Sequence, residues 1–121
     1  MKKYKYFKLS EFDSPDIPNS GVNMNFDFLD KLDKIRGLCG FSFVINSGYR
    51  SKAYNQVVRG EFNSAHLRGL ACDIHCVTSF ERFCIIQNAL KVGIKRIGIY
   101  PTFIHLDDDD SLVQNVIFVG K

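Results

Sequence analysis

The sequence predicts an α+β fold, in which a largely antiparallel sheet packs against helices. The chain mixes short segments of alternating apolar residues with longer segments of helical periodicity, and these periods are typical of strands and helices respectively. The two kinds of segment do not repeat as regular strand–helix units, which disfavours a parallel α/β sheet. With a length of 121 residues, we expect residues 1–121 to form one domain around one core.

The first half of the chain predicts an arm, two helices and a strand. Residues 1–24 contain Pro, Asn, Ser and Gly in close succession and predict a turn-rich arm that wraps the surface. Apolar residues with helical period predict a helix from Asn25 to about Leu38. Alternation over Phe41–Asn46 predicts a buried strand. A short helix over Ser51–Arg59 and a polar loop over Glu61–Leu67 are predicted to follow.

The middle of the chain predicts a second strand and a capped helix. Leu70–Val77 reads as a strand with one apolar face. Thr78 and Glu81 have the spacing of a capping box, which predicts the start of a helix that runs to about Val92. The residues predicted on the inner face of this helix are Phe80, Phe83, Ile86 and Leu90.

The last third of the chain predicts three more strands. A Pro turn and an Asp-rich turn separate them. Side chains alternate between the two faces of a strand, so His105 and Asp107 are expected on one face of their strand, opposite Ile104 and Leu106. The three predicted strands are Arg96–Tyr100, Phe103–Asp107 and Val113–Val119.

Two strands therefore offer polar side chains that could bind a metal. In the strand at Leu70–Val77, Asp73 and His75 lie on the face opposite the apolar one, and His66 precedes that strand. Imidazole and carboxylate are the ligands of catalytic zinc, which takes three of them and leaves a position for water. Each of the three histidines of the chain could equally serve a structural role, so spacing alone leaves the metal site open.

Composition disfavours several classes of function. Sixteen basic and thirteen acidic residues give a net charge of +3, which is too weak a balance to indicate a nucleic-acid partner. No segment approaches the roughly 18 apolar residues of a membrane span. No secretory signal is visible, so we expect synthesis in a cytoplasm.

The four cysteines are expected to be free thiols, because a chain without a secretory signal stays in a reducing compartment. Cys72 and Cys76 have a spacing that a structural zinc site could use. No second pair of Cys or His completes such a site with comparable spacing. The cysteines are Cys39, Cys72, Cys76 and Cys84.

Three ordered motifs resemble the peptidase M15 family. The stretch Ser64–Asp73 matches the family signature S-x-H-x-x-G-x-A-x-D, and Ser47–Ser51 resembles its S-G-Y-R-S segment. Gly98–Pro101 and Phe103–Asp107 resemble its closing G-x-Y-P…F-x-H-x-D segment. That family includes D-alanyl-D-alanine carboxypeptidases, vancomycin-resistance dipeptidases and phage L-alanyl-D-glutamate endolysins, and it shares its fold with hedgehog signalling domains.

The resemblance implies roles for particular residues. His66, Asp73 and His105 correspond to the zinc ligands. Arg50 corresponds to the arginine that contacts substrate and stabilises the oxyanion, a task that suits a permanently charged guanidinium. Two further residues of the matching motifs, Ser64 and Tyr100, are expected to contact substrate. Ser64 could instead simply stabilise its loop.

The chain departs from the family pattern at the general base. Several members carry an acidic residue three positions before the final histidine ligand, and here that position is Thr102, which cannot accept the proton. Asp107 is the nearest substitute, either as the base or as a partner that orients a ligand imidazole. Glu61 is a further candidate for the base.

Two other polar features are expected to take no part in metal binding or catalysis. His75 matches no ligand of the family and is expected at a structural or rim position. The run Asp107–Asp110 is expected to form a solvated turn, because it lacks the ligand spacing of an EF-hand calcium loop.

The function implied by the resemblance is zinc-dependent hydrolysis of peptide bonds in the stem peptides of bacterial peptidoglycan. The bond could be D-Ala–D-Ala or L-Ala–D-Glu. We expect a monomer, of phage or host origin, that reaches the cell wall after release by lysis. No nucleic-acid partner and no membrane span are expected. The alternatives are a zinc-containing binding module without catalysis, as in hedgehog domains, and a virion component.

Overall fold

A five-stranded sheet organises the computed structural model, which describes residues 3–121. The strands in chain order are β1 (Ile45–Ser47), β2 (Ala71–His75), β3 (Arg96–Ile99), β4 (Phe103–Asp107) and β5 (Val116–Val119). Their spatial order is β1-β2-β4-β3-β5. All neighbours are antiparallel except β3 and β5, which are parallel. With the three helices described below, this confirms the predicted α+β fold with a largely antiparallel sheet.

Residues 3–24 of the amino-terminal arm contain two short 3-10 turns and no longer element, as the Pro and Gly content predicts. The turns are Leu9–Phe12 and Ser20–Asn23. The arm does more than wrap the surface, because it also contributes Phe7 and Phe12 to the hydrophobic core. The carbonyl oxygen of Phe12 accepts a hydrogen bond from the backbone N–H of Tyr49 at 2.9 Å. The arm therefore supports the segment that leads into the predicted substrate arginine.

The first helix, α1 (Phe26–Cys39), agrees with its prediction. The side chain of Asn25 caps it by accepting from the N–H of Phe28 at 3.0 Å. It ends at Gly40, whose φ of 76° is left-handed, a conformation that glycine adopts without steric cost. Its buried face packs on the sheet through Phe28, Leu29, Leu32 and Ile35.

The first strand is shorter than predicted and lies later in the chain. Only Ile45–Ser47 forms a ladder, because the pairing is antiparallel: residues before Ile45 would have to pair beyond Ile74, and β2 ends at His75. The predicted residues before it still matter for packing. Phe41 and Phe43 pack against each other with ring centroids 5.7 Å apart.

The second helix, α2 (Lys52–Val57), and the loop after it connect the first strand to the segment that contains His66. Ser51 caps α2 by accepting from the N–H of Tyr54 at 3.0 Å. The predicted polar loop contains a 3-10 turn, Ala65–Arg68, which the sequence did not indicate. The turn matters because it holds His66.

The third helix, α3 (Ser79–Lys91), begins where predicted, with the Thr78 side chain accepting from the N–H of Glu81 at 3.2 Å. Its predicted inner face is wrong. The buried residues are Ile85 and Ala89, on the side of α3 that contacts α1. The helix has two apolar stripes, and packing against α1 decides which one is buried. Of the four residues predicted on the inner face, only Ile86 is partly buried against the core. The other three side chains are largely exposed: Phe80 at 71%, Phe83 at 62% and Leu90 at 52%.

The two central strands have one apolar and one polar face, as the alternation predicts. Cys72 and Ile74 in β2, and Ile104 and Leu106 in β4, are fully buried in the core. The opposite face carries the polar residues of the candidate site. Within residues 3–121, no helix has both the length and the apolar character that crossing a membrane requires.

Candidate metal centre

Three side chains from separate elements converge on the polar face of the sheet. Asp73 in β2 lies directly opposite His105 in β4, and Asp73 Oδ1 is 2.9 Å from His105 Nδ1. His66 Nε2 approaches the same oxygen at 3.3 Å. The three candidate ligand atoms all lie within 4.8 Å of one another, close enough to bind one ion. This is the only such group among residues 3–121.

His66 is held by its turn so that one ring nitrogen faces Asp73. Ser64 caps the turn by accepting from the backbone N–H of His66 at 3.2 Å. The Nδ1–H of His66 donates to the carbonyl oxygen of Gly48 at 2.8 Å. Since a carbonyl only accepts, this bond leaves Nε2 unprotonated and directed at Asp73 in the neutral imidazole.

His105 is oriented in the same way from the other side. Its Nε2 lies 2.7 Å from Asp107 Oδ2 and donates to that carboxylate, so Nδ1 faces Asp73. Asp107 is itself held by Arg96 Nε at 2.9 Å and by the backbone N–H of Asp109. Imidazoles that bind a metal usually donate their other N–H to a carboxylate or a backbone carbonyl, and both histidines have this arrangement.

The electrostatics of the centre favour a positive charge. Burial acts to raise the pKa of Asp73, but the hydrogen bond from His105 and the approach of the His66 imidazole hold it well below its ordinary value. Burial acts to lower the pKa of His105, while its bonds to Asp107 and Asp73 raise it to about 9. Burial lowers the pKa of His66 despite Asp73. A buried carboxylate that two imidazoles approach therefore stabilises a proton or a cation, and a donor set of two nitrogens and one oxygen fits zinc.

Arg50 lies beside these ligands, as the motif implies. Its Nη2 is 3.3 Å from Asp73 Oδ2, Nε donates to Ser47 Oγ at 3.0 Å and Nη1 to Asn55 Oδ1 at 3.2 Å. Burial lowers the pKa of Arg50 from its ordinary value. Three separate contacts thus hold the guanidinium at the edge of the centre.

Gly60 is required for this arrangement. A Cβ atom at this position would lie 2.0 Å from Asn55 Oδ1 and 2.9 Å from Arg50 Nη1. Asn55 is 4% exposed and also donates to the carbonyl oxygen of Glu61. The sequence analysis did not identify Asn55, since neither its spacing nor its residue type distinguishes it from any other helical asparagine.

A cleft of about 410 Å³ opens onto the three candidate ligands. Arg50, Ser64 and Tyr100, the residues expected to contact substrate, line it. The ring of Tyr100 stacks on Phe103 at a centroid distance of 4.3 Å. Burial, together with the negative charges of Asp73 and Glu61, raises the pKa of the Tyr100 hydroxyl, which therefore keeps its proton at neutral pH.

Phe118 in β5 is a further residue near the centre that sequence reasoning missed. Its ring centroid is 5.7 Å from that of His105. It occupies space left by Gly98 in β3, where a Cβ atom would lie 2.4 Å from the Phe118 ring. Only the parallel pairing of β5 with β3 brings this ring to His105, and that pairing has no local sequence signal.

The two candidate carboxylates for proton transfer differ in their surroundings. Asp107 is 1% exposed and both of its oxygens are engaged, which favours its orienting role. Glu61 is exposed and lines both the 410 Å³ cleft and a neighbouring cavity of about 390 Å³. Thr102 lies exposed in the turn between β3 and β4.

The remaining polar features lie outside the centre. His75 is exposed at the end of β2. Three carboxylates of the Asp-rich turn pair with cations, namely Asp107 with Arg96, Asp108 with Lys31 and Asp109 with Arg68. Asp107 and Asp109 are each 1% exposed, so the expectation of a solvated run is wrong for these two residues, which are buried with their ion-pair partners. All four cysteines are free.

The residues of the candidate metal centre fall within a match to a known protein family. A family model described as Peptidase M15 matches residues 5–107. The match therefore includes the three candidate ligands, Arg50 and Asp107, and stops before β5. A search of curated proteins found no match.

Proposed function

Because the chain belongs to the peptidase M15 family, we propose that it is a zinc metallopeptidase that hydrolyses stem peptides of bacterial peptidoglycan. Membership of the family implies peptidase activity. The convergence of His66, Asp73 and His105 beside an open cleft carries the assignment of a metal-dependent mechanism. The substrate class is supported by the resemblance of the three motifs to those of enzymes that cut the cell wall.

The three converging residues would hold the zinc ion. His66 would bind through Nε2 and His105 through Nδ1, because their other nitrogens donate to Gly48 and Asp107. Asp73 would bind through its carboxylate. Zinc at this position would supply a Lewis acid that polarises a peptide carbonyl and lowers the pKa of water.

Arg50 stabilises negative charge on the substrate carbonyl oxygen. Its guanidinium remains charged throughout turnover and lies at the cleft beside Asp73. The contacts to Ser47 and Asn55 hold it in one orientation before substrate binds. A donor that is already oriented needs no reorganisation when charge develops, and this is the basis of electrostatic catalysis.

Proton transfer is assigned to Glu61 and ligand orientation to Asp107. A general base must lie within reach of the reacting water, and the exposed carboxylate of Glu61 lines the cleft. No hydrogen bond or ion pair engages its side chain among residues 3–121. Asp107, in contrast, is buried against His105 and Arg96, and positions the imidazole.

A second candidate function is a zinc-containing binding module without turnover. Thr102, at the position where several family members carry the base, favours it. Such a module would retain the metal centre and bind stem peptides, but it would not cleave them. Glu61 provides a carboxylate at the cleft, so the hydrolytic function is preferred.

The deciding experiment is digestion of purified peptidoglycan by the zinc-loaded protein, with mass spectrometry of the released muropeptides. We expect cleavage that a chelator abolishes and added zinc restores. The masses of the products identify the bond that is cut. Intact peptidoglycan over a range of pH, with zinc still bound, would support the binding module instead.

A further inference from the structure

Arg59 has a backbone conformation that its residue type does not favour. It follows α2 with φ of 55°, and its N–H donates to the carbonyl oxygen of Gln56 while that of Gly60 donates to Asn55. Turns with these two hydrogen bonds end many helices. Glycine usually occupies the residue with positive φ, because a residue with a Cβ atom is strained in that conformation. The turn itself therefore does not require an arginine.

Arg59 lines the same cleft as the three candidate zinc ligands. Among residues 3–121, no hydrogen bond, ion pair or ring contact engages its guanidinium. Arg50 differs in this respect, since its Nε, Nη1 and Nη2 all have partners within the protein. Arg59 is thus the arginine of the cleft with unused donors.

The charged residues that line the cleft make Arg59 the guanidinium available to an anionic ligand. Arg50 and Asp73 form an ion pair with each other. The remaining charged side chains that line the cleft, apart from the two histidine ligands, are Arg59, Lys121 and Glu61. A guanidinium presents paired donors that match the two oxygens of a carboxylate.

We propose that Arg59 is a specificity-determining residue that binds a free carboxylate of the substrate next to the scissile bond. This inference rests on the proposed function, because it concerns the same cleft. The carboxylate belongs either to an acidic residue within the stem peptide or to the carboxy-terminal residue. Both sources present the same group to the guanidinium, and matched peptides separate them.

The test compares zinc-loaded wild type with Arg59→Gln, Arg59→Gly and Lys34→Gln. Lys34 is exposed on α1, so Lys34→Gln controls for the loss of one positive charge. Stem peptides are used in pairs that differ only by a carboxylate replaced with an amide, at the internal D-Glu or at the carboxy terminus. The kinetic constants kcat and KM are measured for each peptide.

We expect wild type and Lys34→Gln to favour one acid over its amide by roughly tenfold in kcat/KM, the size of one charge-assisted contact. Both Arg59 variants should lose that preference, chiefly through KM. Arg59→Gly should also keep or raise the Tm, because glycine relieves the left-handed strain. The pair that shows the effect identifies the source of the carboxylate. An unchanged acid preference in Arg59→Gln, or no preference in wild type, would overturn the proposal.

Binding provides a second measurement that needs no turnover. N-acetyl-D-glutamine and N-acetyl-D-alanine each carry one free carboxylate, and their amides carry none. NMR titration of the zinc-loaded protein should show that the acid of the preferred pair binds more tightly, and that Arg59→Gln removes the difference. If this result holds while no stem peptide is cleaved, the carboxylate site stands and the hydrolytic function fails. Equal binding of acid and amide would contradict the carboxylate site itself.

Discussion

Asp73 and His105 are 32 positions apart in the chain, yet they face each other across the β2–β4 ladder with Oδ1 2.9 Å from Nδ1. The antiparallel register, in which Cys72 opposes Leu106 and Ile74 opposes Ile104, sets this distance. Because the flanking pairs belong to the fully buried core, a shift of register by one residue would expose them. The packing of the core thus preserves the metal centre.

Zinc should stabilise the folded protein through this centre. At a free zinc concentration a hundred times its Kd, binding to the native state alone adds about 2.7 kcal/mol to the free energy of unfolding. Thermal unfolding with and without chelator measures the effect. His105→Ala should abolish it, whereas His75→Ala, which alters an exposed histidine of β2, should respond to zinc as wild type does. Equal zinc stabilisation of both variants would contradict the ligand assignment.

Asp107→Asn tests the orienting role of that carboxylate. The amide weakens the contacts to His105 Nε2 and Arg96, so His105 is less well held as a ligand. We expect zinc affinity to fall about 10–100-fold, with much of the turnover restored at saturating zinc. Competition with a chelating dye measures the affinity. Unchanged affinity together with lost turnover would instead assign the proton transfer to Asp107.

Glu61→Gln should separate chemistry from metal binding. If Glu61 accepts the proton, kcat should fall about 10²–10⁴-fold, while the zinc content stays at that of wild type. Glu81→Gln, which alters a glutamate at the start of α3, is the matched control and should keep its activity. Turnover of Glu61→Gln within a few-fold of wild type would remove Glu61 from the mechanism.

Gly60→Ala should disrupt the support of Arg50. The new methyl group would overlap Asn55 Oδ1, so the asparagine must move away from the guanidinium. We expect kcat/KM to fall by at least tenfold and stability by about 1–3 kcal/mol, the usual cost of overpacking. Denaturant unfolding and peptide hydrolysis measure the two effects. The double variant Asn55→Ala/Gly60→Ala removes the overlap with Asn55 and leaves only the 2.9 Å approach to Arg50 Nη1, so it should recover part of the stability but not activity. Recovery of both would show that Asn55 is dispensable for Arg50.

Asp16 should make the arm sensitive to acid. Its oxygens accept from Ser14 Oγ at 2.5 Å and from Ser51 Oγ at 2.6 Å, and these bonds lower its pKa below the ordinary 3.8. A lowered pKa contributes stability above the unfolded-state value, and that contribution is lost as pH falls through the folded-state value. The free energy of unfolding of wild type should therefore drop more steeply below pH 4 than that of Asp16→Asn. Parallel curves for the two proteins would exclude the contribution.

Local patterns predicted the elements whose signals lie within a few residues. Thr78 caps α3 as its spacing to Glu81 indicates, and the helical period from Asn25 to Leu38 correctly located α1. Alternation correctly assigned Cys72 and Ile74 to the core face of β2. These predictions succeeded because capping and alternation depend on neighbouring residues alone.

Packing partners decided what the periodicity left open. The helical spacing of Phe80 and Phe83 marks an apolar stripe on α3, but the stripe with Ile85 and Ala89 faces α1. Similarly, the register with β2 restricts β1 to three residues. A pattern defines which residues share a face, but it cannot tell which face another element will cover.

The sequence by itself supplied the candidate chemistry of the centre, since the resemblance of its motifs to the peptidase M15 family implied His66, Asp73 and His105 as ligands and Arg50 as a substrate contact. Tertiary structure alone decided how each is held, because the partners come from distant segments: Gly48 for His66, Asn55 and Ser47 for Arg50. The fold also places Asp107 against His105 Nε2, the nitrogen that does not face Asp73. Glu61 and Arg59, in contrast, line the open cleft. The physical reason is that hydrogen-bond partners and solvent exposure depend on the folded chain around a residue, whereas ligand chemistry belongs to the residue itself.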